Sequence, residues 1–461
     1  MRLSPLPLIL ALALALAGCV NLAPDYQRPA APVAEQWPGT PATSSNTADI
    51  AWQALFVDTR LRDTVALALA NNRDLRVAAL NVEYQRAQYR IQRATLLPSV
   101  SASADGTRQR SVSNGSNAVS SQYSVGLGVS SYELDLFGRL GNLKDDALED
   151  YLALEQTRRS TQISLVAEVA SAWMTLAADQ QLLALAKETY ASQQKTHDLV
   201  QQSHALGGES GLSLAQALST VESARADVAS YQSQVEQDRN ALELLVGRRL
   251  ESKLLPGDAR LDAALLVGVP AGLPSSLLQR RPDVLAAEHT LKAANADIGA
   301  ARAAFFPSVT LTASGGSASS ELSGLFAGGS RAWSFAPSVN LPIFNAGSNR
   351  AALDAAKVSR DIEVATYEKT LQTAFSEVAD ALAVRGHINE RLDAQRGLTS
   401  ATEKSYDLSL ALYKQGSESF LEVLDAQRSL YSAQQTLISL ELAEQQNRVT
   451  LYKVLGGGWQ G

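Results

Sequence analysis

RATLLPSVSASADG, residues 93–106, and RAAFFPSVTLTASG, residues 302–315, repeat one pattern of residue types within a single chain. Each stretch passes from a helix-like run through a proline into alternating small and apolar residues. Proline ends a helix because it lacks a backbone N–H and restricts the residue before it, and alternation is typical of a strand. The two stretches therefore predict the same passage from helix to strand, and the second begins 209 residues after the first.

The same offset of 209 residues recurs far beyond these two stretches. Identical residue types at one fixed separation indicate a duplicated unit of about 180 residues, and hence internal pseudo-symmetry. The pairs at this offset include Asp74 with Asp283, Pro98 with Pro307, Asp198 with Asp407, Gly207 with Gly416, and Gly247 with Gly456.

Each copy of the unit predicts the same order of helices and strands. In the first copy, a helix over residues 71–96 precedes strands over 99–108 and 122–133. A run without proline or glycine over 142–206 predicts a helix of roughly 96 Å, and a further helix covers 212–246 after a Gly-Gly break. Each copy is therefore predicted to form a rod of helices, with a strand hairpin at one tip and a glycine turn at the other.

Composition argues against two classes of protein. The chain has 461 residues, of which 46% are hydrophobic and 19% charged, and its formal net charge is -7. Binding to a phosphate backbone needs clustered Lys and Arg, so no nucleic-acid partner is expected. Beyond the N-terminus, no run approaches the roughly 20 apolar residues of a transmembrane helix. A bilayer crossing would therefore need strands or a covalent lipid.

The first twenty residues, MRLSPLPLILALALALAGCV, are typical of a secretory signal that ends in a lipoprotein cleavage motif. Leu-Ala-Gly leads to Cys19, the chain's only cysteine. We predict cleavage after residue 18 and acylation of Cys19 by N-palmitoyl and S-diacylglycerol groups, which anchor the mature chain without spanning the membrane. A signal peptide with an incidental cysteine is the alternative. Likeness to bacterial lipoproteins, with no Asp after Cys19, further implies sorting to the outer membrane.

The last helix of the chain carries two apolar lines and one polar line. One apolar line follows a heptad spacing from Val423 to Leu440, and the other includes Phe420 and Leu424. Two apolar lines indicate two neighbouring helices and the polar line a wet face, as in the wall of a helical barrel. A coiled-coil stalk with that face outward is the alternative. The polar line consists of Leu421, Asp425, Arg428, Ser432, Gln435 and Ser439.

The four candidate membrane strands of one chain set a minimum for assembly. A barrel in lipid needs about eight or more strands, because open sheet edges leave backbone groups without partners. At least two chains must therefore pool their strands. The strand number by itself does not fix the number of chains at three.

Several long motifs of this chain carry a resemblance to a known family. They are PDYQRP at 24–29, YELDLFGRL at 132–140, LPSSLLQRRPDVLAAEH at 273–289, LPIFNAGS at 341–348 and LYKVLGGGW at 451–459. With these motifs the chain closely resembles the outer-membrane efflux lipoproteins, the OprM-type branch of the TolC family, over essentially its whole mature length. The resemblance implies an α+β, mainly α fold. In a homotrimer, a twelve-stranded outer-membrane β-barrel would continue into a periplasmic α-helical barrel.

The resemblance also implies how the chain is divided. Strands are expected at about 98–136 and 307–343. The expected segments are a signal peptide at 1–18, an acylated tether at 19–60, a first repeat at 61–247, an equatorial linker at 248–275, a second repeat at 276–456 and a tail at 457–461.

The function and the partners follow from the same resemblance. The protein would be the passive, gated exit channel of a tripartite multidrug efflux pump in the outer membrane. Its partners would be a periplasmic adaptor (membrane fusion) protein and an inner-membrane transporter of the resistance-nodulation-division (RND) type. The cargo would be antibiotics, detergents, dyes or solvents. A lipidated coiled-coil tether is the alternative, but it leaves the four strands unexplained.

No catalytic, cofactor-binding or metal-binding constellation stands out in the sequence. The four histidines are scattered singly, and neither a phosphate-binding glycine loop nor a nucleophile motif occurs. An enzyme is therefore not expected, and the energy for transport must come from a partner.

The candidate functional residues lie near the second glycine turn. Leu421, Asp425 and Arg428 share the polar line, and the matching positions of the first copy carry no charge. The resemblance implies a closed periplasmic gate at these residues, with Tyr413 and Lys414 before the turn as linking contacts. A solvated Asp/Arg pair is the alternative.

The two glycine turns are candidate docking elements for the adaptor. Gly207 and Gly416 occupy matching positions of the two copies. The alternative is that both serve only as turn glycines.

Overall fold

The structure, a computed structural model, describes residues 20–37, 51–113, 116–257 and 275–457, together with Leu261 and Leu266. This described part is mainly helical and contains one four-stranded antiparallel sheet, as the sequence predicts for an α+β, mainly α fold. No helix in these ranges combines the length and the apolar character needed to cross a membrane.

The chain up to residue 246 forms short helices, a strand hairpin, a long helix and a helix of intermediate length. In chain order the elements are α1 (Trp52–Leu55), α2 (Thr59–Asn71), α3 (Arg73–Ala94), β1 (Val100–Ser113), β2 (Ser116–Leu134), α4 (Arg139–Ala205) and α5 (Gly211–Val246). A 3-10 helix follows at Ser252–Leu254.

The second half of the chain repeats this order. Helices α4 and α7 each have 67 residues and begin 209 residues apart, and the same offset relates α3 to α6, which have 22 residues each. The duplicated unit predicted from the sequence is thus confirmed. The elements are α6 (Pro282–Ala303), β3 (Ser308–Ser319), β4 (Arg331–Asn340), α7 (Ser348–Lys414) and α8 (Phe420–Val454), with 3-10 helices at Ser275–Arg280 and Leu322–Gly324.

The predicted first helix at 71–96 is preceded in the structure by α2, which the sequence analysis does not predict. The Asp58 side chain caps α2 by accepting hydrogen bonds from the backbone N–H groups of Arg60 and Leu61. Asn72 separates α2 from α3, because its side-chain oxygen accepts from the Leu75 N–H at 2.8 Å. The chain therefore turns at a second capping residue instead of forming one continuous helix.

The four strands pair in chain order, and every neighbouring pair is antiparallel. β1 with β2 and β3 with β4 form the two predicted hairpins. In addition β2 pairs with β3, from Tyr123 opposite Ser319 to Leu134 opposite Val309. The two copies of the repeat therefore share one sheet, whose edges are β1 and β4 among the described residues.

Glycine permits the close approach of β2 and β3. A Cβ atom at Gly316 would lie 2.1 Å from the backbone oxygen of Val125. A Cβ atom at Gly126 would lie 2.8 Å from the backbone oxygen of Gly315. Real Cβ atoms do not approach this closely, so a larger residue at either glycine would push the strands apart.

Contacts divide the chain into two compact units, and each unit contains residues from both copies of the repeat. Unit 1 comprises Met1–Ala30, Leu80–Glu155 and Ala286–Lys369, and it holds the four strands. Unit 2 comprises Ala31–Ala79, Gln156–Leu285 and Thr370–Gly461, and it holds the glycine turns at 207 and 416.

The largest apolar core of unit 2 surrounds Trp173 of α4. Trp173 and Met174 are fully buried, and α2 contributes Leu61, α5 contributes Leu242, and α8 contributes Val449. The indole N–H of Trp173 donates to a backbone oxygen at 3.0 Å, so the buried polar atom of this large side chain has a partner. The short helix α2 is therefore fixed by burial.

In unit 1 the N-terminal segment packs along α6. Arg28 makes two hydrogen bonds to the carboxylate of Glu288, at 3.0 and 2.7 Å, and the Tyr26 hydroxyl donates to the same group at 3.2 Å. Burial raises the pKa of Glu288, but the Arg28 hydrogen bond and the charge of Lys292 outweigh it and lower that pKa overall. The segment predicted as an extended tether is extended here and also docked through a buried carboxylate.

Candidate functional site

The two glycine turns of unit 2 have the same backbone geometry. Gly207 and Gly416 have φ values of 77° and 76°, in the left-handed region that favours glycine. Around the first turn, Gly207 N–H donates to His204 O and Gly208 N–H to Ser203 O, each at 2.9 Å. This is the Schellman pattern of a helix C-terminus, and it satisfies carbonyls that the helix itself leaves free.

The second turn reproduces this arrangement at the matching positions. Gly416 N–H donates to Tyr413 O at 2.9 Å, and Ser417 N–H donates to Leu412 O at 3.0 Å. A Cβ atom at Gly207 or Gly416 would meet nothing within 4 Å, so backbone conformation and not crowding requires glycine at both turns. Both turns are consequently open to approach by another molecule within this chain's own structure.

A side-chain hydrogen bond joins the two turns. The hydroxyl of Tyr413, in the last turn of α7, donates to the carboxylate of Glu209 at 2.9 Å. Burial raises the pKa of Tyr413 to about 12, and the hydrogen bond and negative charge of Glu209 act in the same direction. The phenol therefore keeps its proton at neutral pH and remains a donor. The sequence analysis names Tyr413 but misses Glu209, whose position directly after a glycine turn is the signal for it.

An apolar cluster lies directly behind this hydrogen bond. Val200, Ala217, Phe420 and Leu424 are buried, and Leu214 and Tyr413 pack against them. The rings of Tyr413 and Phe420 lie 5.8 Å apart between centroids with a tilt of 56°. Tyr413 thus contributes an apolar ring to the cluster and a polar hydroxyl to the contact between the turns.

Hydrogen bonds continue from the turns along α5 and α8. The Tyr431 hydroxyl donates to Asp227 at 3.2 Å, and the Gln435 amide donates to the Tyr231 hydroxyl at 3.1 Å. These two bonds and the Tyr413–Glu209 bond each join residues 204 positions apart. The constant separation means that the two segments run parallel in one register.

The predicted gate residues fall into two groups in the structure. Leu421 is 56% exposed, and Asp425, Arg428 and Lys414 are also exposed, whereas Tyr413 is half-buried in the contact between the turns. Across the described ranges, neither Asp425 nor Arg428 makes an ion pair or a side-chain hydrogen bond. The face that carries Leu421, Asp425 and Arg428 is therefore free to meet another molecule, and whether it forms a gate stays a prediction.

Cys19 lies outside the described residues, and the structure begins with the residue that follows it. The Val20 N–H donates to the backbone oxygen of Leu136 at 3.3 Å, just beyond the end of β2. Acylation of Cys19 stays a prediction as well.

Two of the four histidines have ordinary hydrogen-bond partners. His289 contacts Glu149 at 2.6 Å, and the ring of His204 contacts the backbone oxygen of Glu209 at 2.7 Å. Within the described ranges, no group of three or more His, Cys, Asp or Glu side chains is placed to hold a metal ion.

The sequence model of the family described as outer membrane efflux protein matches this chain twice. The matched residues are 64–248 and 273–457, so the second match begins 209 residues after the first. The comparison with the family thus finds the same repeat as the sequence and the helices.

Curated proteins of similar sequence cover nearly the whole chain. A toluene efflux pump outer membrane protein of Pseudomonas putida, TtgC, is 53% identical over 454 residues, covering 96% of this chain and 93% of that protein. Outer membrane protein OprJ of Pseudomonas aeruginosa is 45% identical over 456 residues, covering 98% of this chain and 95% of that protein.

Solved structures of similar fold also cover most of the chain. The open-state MtrE outer membrane channel of Neisseria gonorrhoeae superimposes with a TM-score of 0.87 at 41% identity, covering 95% of this chain and 98% of that one. The CmeC outer membrane channel of Campylobacter jejuni gives 0.85 at 25% identity, covering 95% of each chain. On the repeated family match and these relatives, the chain belongs to the outer membrane efflux protein family.

Proposed function

We propose that this protein is the passive, gated exit channel of a tripartite RND-type multidrug efflux pump in the outer membrane. The observation that carries the proposal is the match of the efflux family over both repeats, 64–248 and 273–457. The likeness to the MtrE outer membrane channel supports it. The protein would bind a periplasmic adaptor and, through the pump, an inner-membrane RND transporter.

The active form would be a homotrimer. The sheet of one chain ends at β1 and β4, and the outer backbone groups of an edge strand need partners in lipid. Three copies would supply twelve strands and close one barrel. The long helices of the three chains would continue that barrel as a tunnel through the periplasm.

The cargo would be apolar solvents and antibiotics. Related proteins are named for toluene efflux and for antibiotic efflux. The protein would do no chemistry on this cargo, since an exit channel needs only a passage and a gate. Energy would be supplied by the inner-membrane partner.

A covalent lipid would hold the N-terminus at the outer membrane. Cys19 follows Leu-Ala-Gly at the end of an apolar signal sequence. The next residue, Val20, is bonded to Leu136 beside the end of β2. N-palmitoyl and S-diacylglycerol groups on Cys19 would therefore insert next to the strands that cross the membrane.

The gate would lie at the glycine-turn tip. Three copies of Leu421 would form an apolar collar, and three copies of Asp425 a carboxylate ring that Arg428 or bound cations must neutralise. The Tyr413–Glu209 bond would hold the two turns of each chain together while the gate is shut. Docking of the adaptor at the turns of Gly207 and Gly416 would replace these contacts and widen the tip.

Single-channel recording in planar bilayers tests the channel and its gate together. The purified parent protein should conduct weakly, and replacement of Asp425 and Arg428 by Ala should raise the conductance about tenfold or more, because the charged constriction is removed. Ser432→Ala is the matched control, since Ser432 is exposed on the same face further from the tip.

Two outcomes would contradict the proposal at different levels. A protein that inserts but never conducts would contradict the channel. A double variant with the conductance and large-antibiotic entry of the parent would contradict the gate alone.

A further inference from the structure

Unit 1 contains two helix faces that are exposed although their repeat counterparts are covered. The faces belong to the outer helices α3 and α7, and the counterparts belong to the inner helices α6 and α4. Equivalent positions in the two copies differ by 209 residues, so each exposed position has a covered twin whose partner is known. This comparison deepens the trimer of the proposed function and rests on it.

The exposed face of α3 is apolar. Leu80 is 59%, Tyr84 65% and Ile91 62% exposed. The twins of Tyr84 and Ile91 on α6 are Ala293 and Ala300, which are 3% and 7% exposed. Solvent-exposed apolar stripes of this kind mark interaction surfaces, and the twin positions show that a neighbour covers them once in this chain.

The exposed face of α7 has the same character. Val358 and Ile362 are each 57% exposed. The twin of Ile362 on α4 is Ala153, which is 9% exposed, and the twin of Val358 is Glu149, which is partly covered. Both outer helices therefore leave uncovered the face that both inner helices cover.

The inner helices cover these faces with each other. The ring of His289 on α6 contacts the carboxylate of Glu149 on α4 at 2.6 Å. A Cβ atom at Gly299 of α6 would lie 2.5 Å from the side chain of Asn142 of α4. The end of the first copy thus packs on the start of the second copy, and the matching contact, between the end of the second copy and the start of the first, is not made within the described part of the chain.

We propose that a second copy of this chain completes that contact, with Leu80 of one copy placed against Val358 of the next. Leu80 is the twin of His289, and Val358 is the twin of Glu149, so the register follows from the contact inside the chain. The contact is head-to-tail, because α3 of one copy meets α7 of another. Such contacts build rings when the rotation closes, which matches three copies around one axis.

The chemistry of the two contacts distinguishes neighbours within the chain from neighbours in the ring. Inside the chain the helices meet through charged groups, including His289, Glu149 and the carboxylates of Asp146 and Asp297. Between copies the same places are taken by Leu80, Val358, Ala355 and Gln88. An uncharged interface costs little to desolvate, so separately made chains associate through apolar surface while the internal contact is fixed by covalent linkage.

Crosslinking of introduced cysteines tests the register. Leu80→Cys together with Val358→Cys, treated with a short bismaleimide in detergent-solubilised protein, should give covalent dimers and trimers. Asn81→Cys with Val358→Cys is the matched control, because Asn81 is exposed but turned about 100° around α3. It should give at least about tenfold less crosslinked material. The parent has one cysteine, Cys19, and serves as the blank.

A charge-reversal pair provides a second measurement that does not depend on cysteine reactivity. Val358→Glu alone should lower the trimer fraction at fixed detergent about tenfold, because it places an unpaired carboxylate in an apolar contact. Addition of Leu80→Arg should restore most of the trimer, since the new charges would pair across the copies. Addition of Asn81→Arg should not restore it.

The outcomes separate this inference from the proposed function. Crosslinks and rescue through position 80, but not 81, support the contact. A trimer that crosslinks equally through position 81, or through neither position, would overturn the contact while leaving the channel proposal intact. A parent protein that stays monomeric in detergent and conducts nothing would overturn both. Coverage of these faces by detergent or lipid alone would give no inter-chain crosslink and would also overturn the contact.

Discussion

Single residues at the tip combine two kinds of interaction in one side chain. Tyr413 packs its ring against Phe420 and donates its hydroxyl to Glu209. Leu421, Asp425 and Arg428 lie on a surface that this chain leaves open. The first contact belongs to the fold of one chain, whereas the second group acquires a role only when other molecules face it. The two groups should therefore respond differently to substitution.

Tyr413→Phe should remove the hydrogen bond and keep the ring. We expect a loss of about 1 kcal/mol of tip stability, because Glu209 would lose its donor, and a rise in the frequency of channel openings. Single-channel recording measures the openings. Tyr406→Phe is the matched control, since Tyr406 of α7 also bonds across to another helix, at Ser192, away from the turns. Equal opening frequencies in the two variants would contradict a role for the Tyr413 bond in closure.

At the scale of helices, α4 and α5 carry a carboxyl pair that the second copy lacks. Asp179 and Asp238 are close enough to share a proton, and burial, the hydrogen bond to Asp238 and its charge raise the pKa of Asp179 to about 7. The twin positions hold Ile388 and Asn447, and the Asn447 amide donates to Ala381 O. The first copy therefore has a pH-dependent helix contact where the second has an apolar and amide contact.

The sign of this pH dependence follows from the raised pKa. The ordinary value is 3.8 and the folded value about 7, so the folded state binds the extra proton. The resulting stability is fully present below about pH 4 and is lost as the pH rises through about 7. Asp179→Asn should therefore raise the melting temperature at pH 8 by about 2–4 °C and change it little at pH 4.

Thermal unfolding followed by circular dichroism at the two pH values measures this effect. Asp407→Asn is the control, because Asp407 is exposed on α7. If both variants shift the melting temperature equally at pH 8, the effect is one of net charge and the carboxyl pair is not responsible.

At the scale of the whole molecule, the repeat and the long helices could be predicted because their signals are local. The run from 142 to 206 contains no proline or glycine, and the structure has a helix at Arg139–Ala205. The pairing of β2 with β3 could not be predicted, since its partners, such as Tyr123 and Ser319, lie far apart and leave no pattern in either strand.

The missed features of the fold and the site share one cause. Helix α2 is fixed by burial of Leu61 and Val65 in a core made of distant segments, and Glu209 is fixed by a partner from the other copy. Local sequence carries the caps and periods of such residues but not the identity of their neighbours. The exposed face of Leu421, Asp425 and Arg428 was readable from its period alone, and its role depends on copies that the sequence does not position.

The covalent lipid is the prediction that concerns the molecule as a whole. Mature protein isolated from the membrane should start at Cys19 and exceed the mass of the bare polypeptide by a diacylglycerol and an acyl chain. Cys19→Ser should retain residues 1–18, because the oxygen of serine does not replace the acylated thiol, and most of the protein should be lost from the outer-membrane fraction. Intact-mass spectrometry of both proteins decides, and an unmodified thiol at Cys19 would contradict the anchor.

The three hydrogen bonds between residues 204 positions apart restrict how the tip can move. Longitudinal sliding of one segment along the other would break all three bonds in a single step. Outward tilting about a pivot deep in unit 2 would stretch the Tyr413–Glu209 bond first and leave those of Tyr431 and Gln435 for last. The low-cost route to a wider tip is therefore an unzipping that starts at the glycine turns and stops after as many rungs as the docked partner can hold apart.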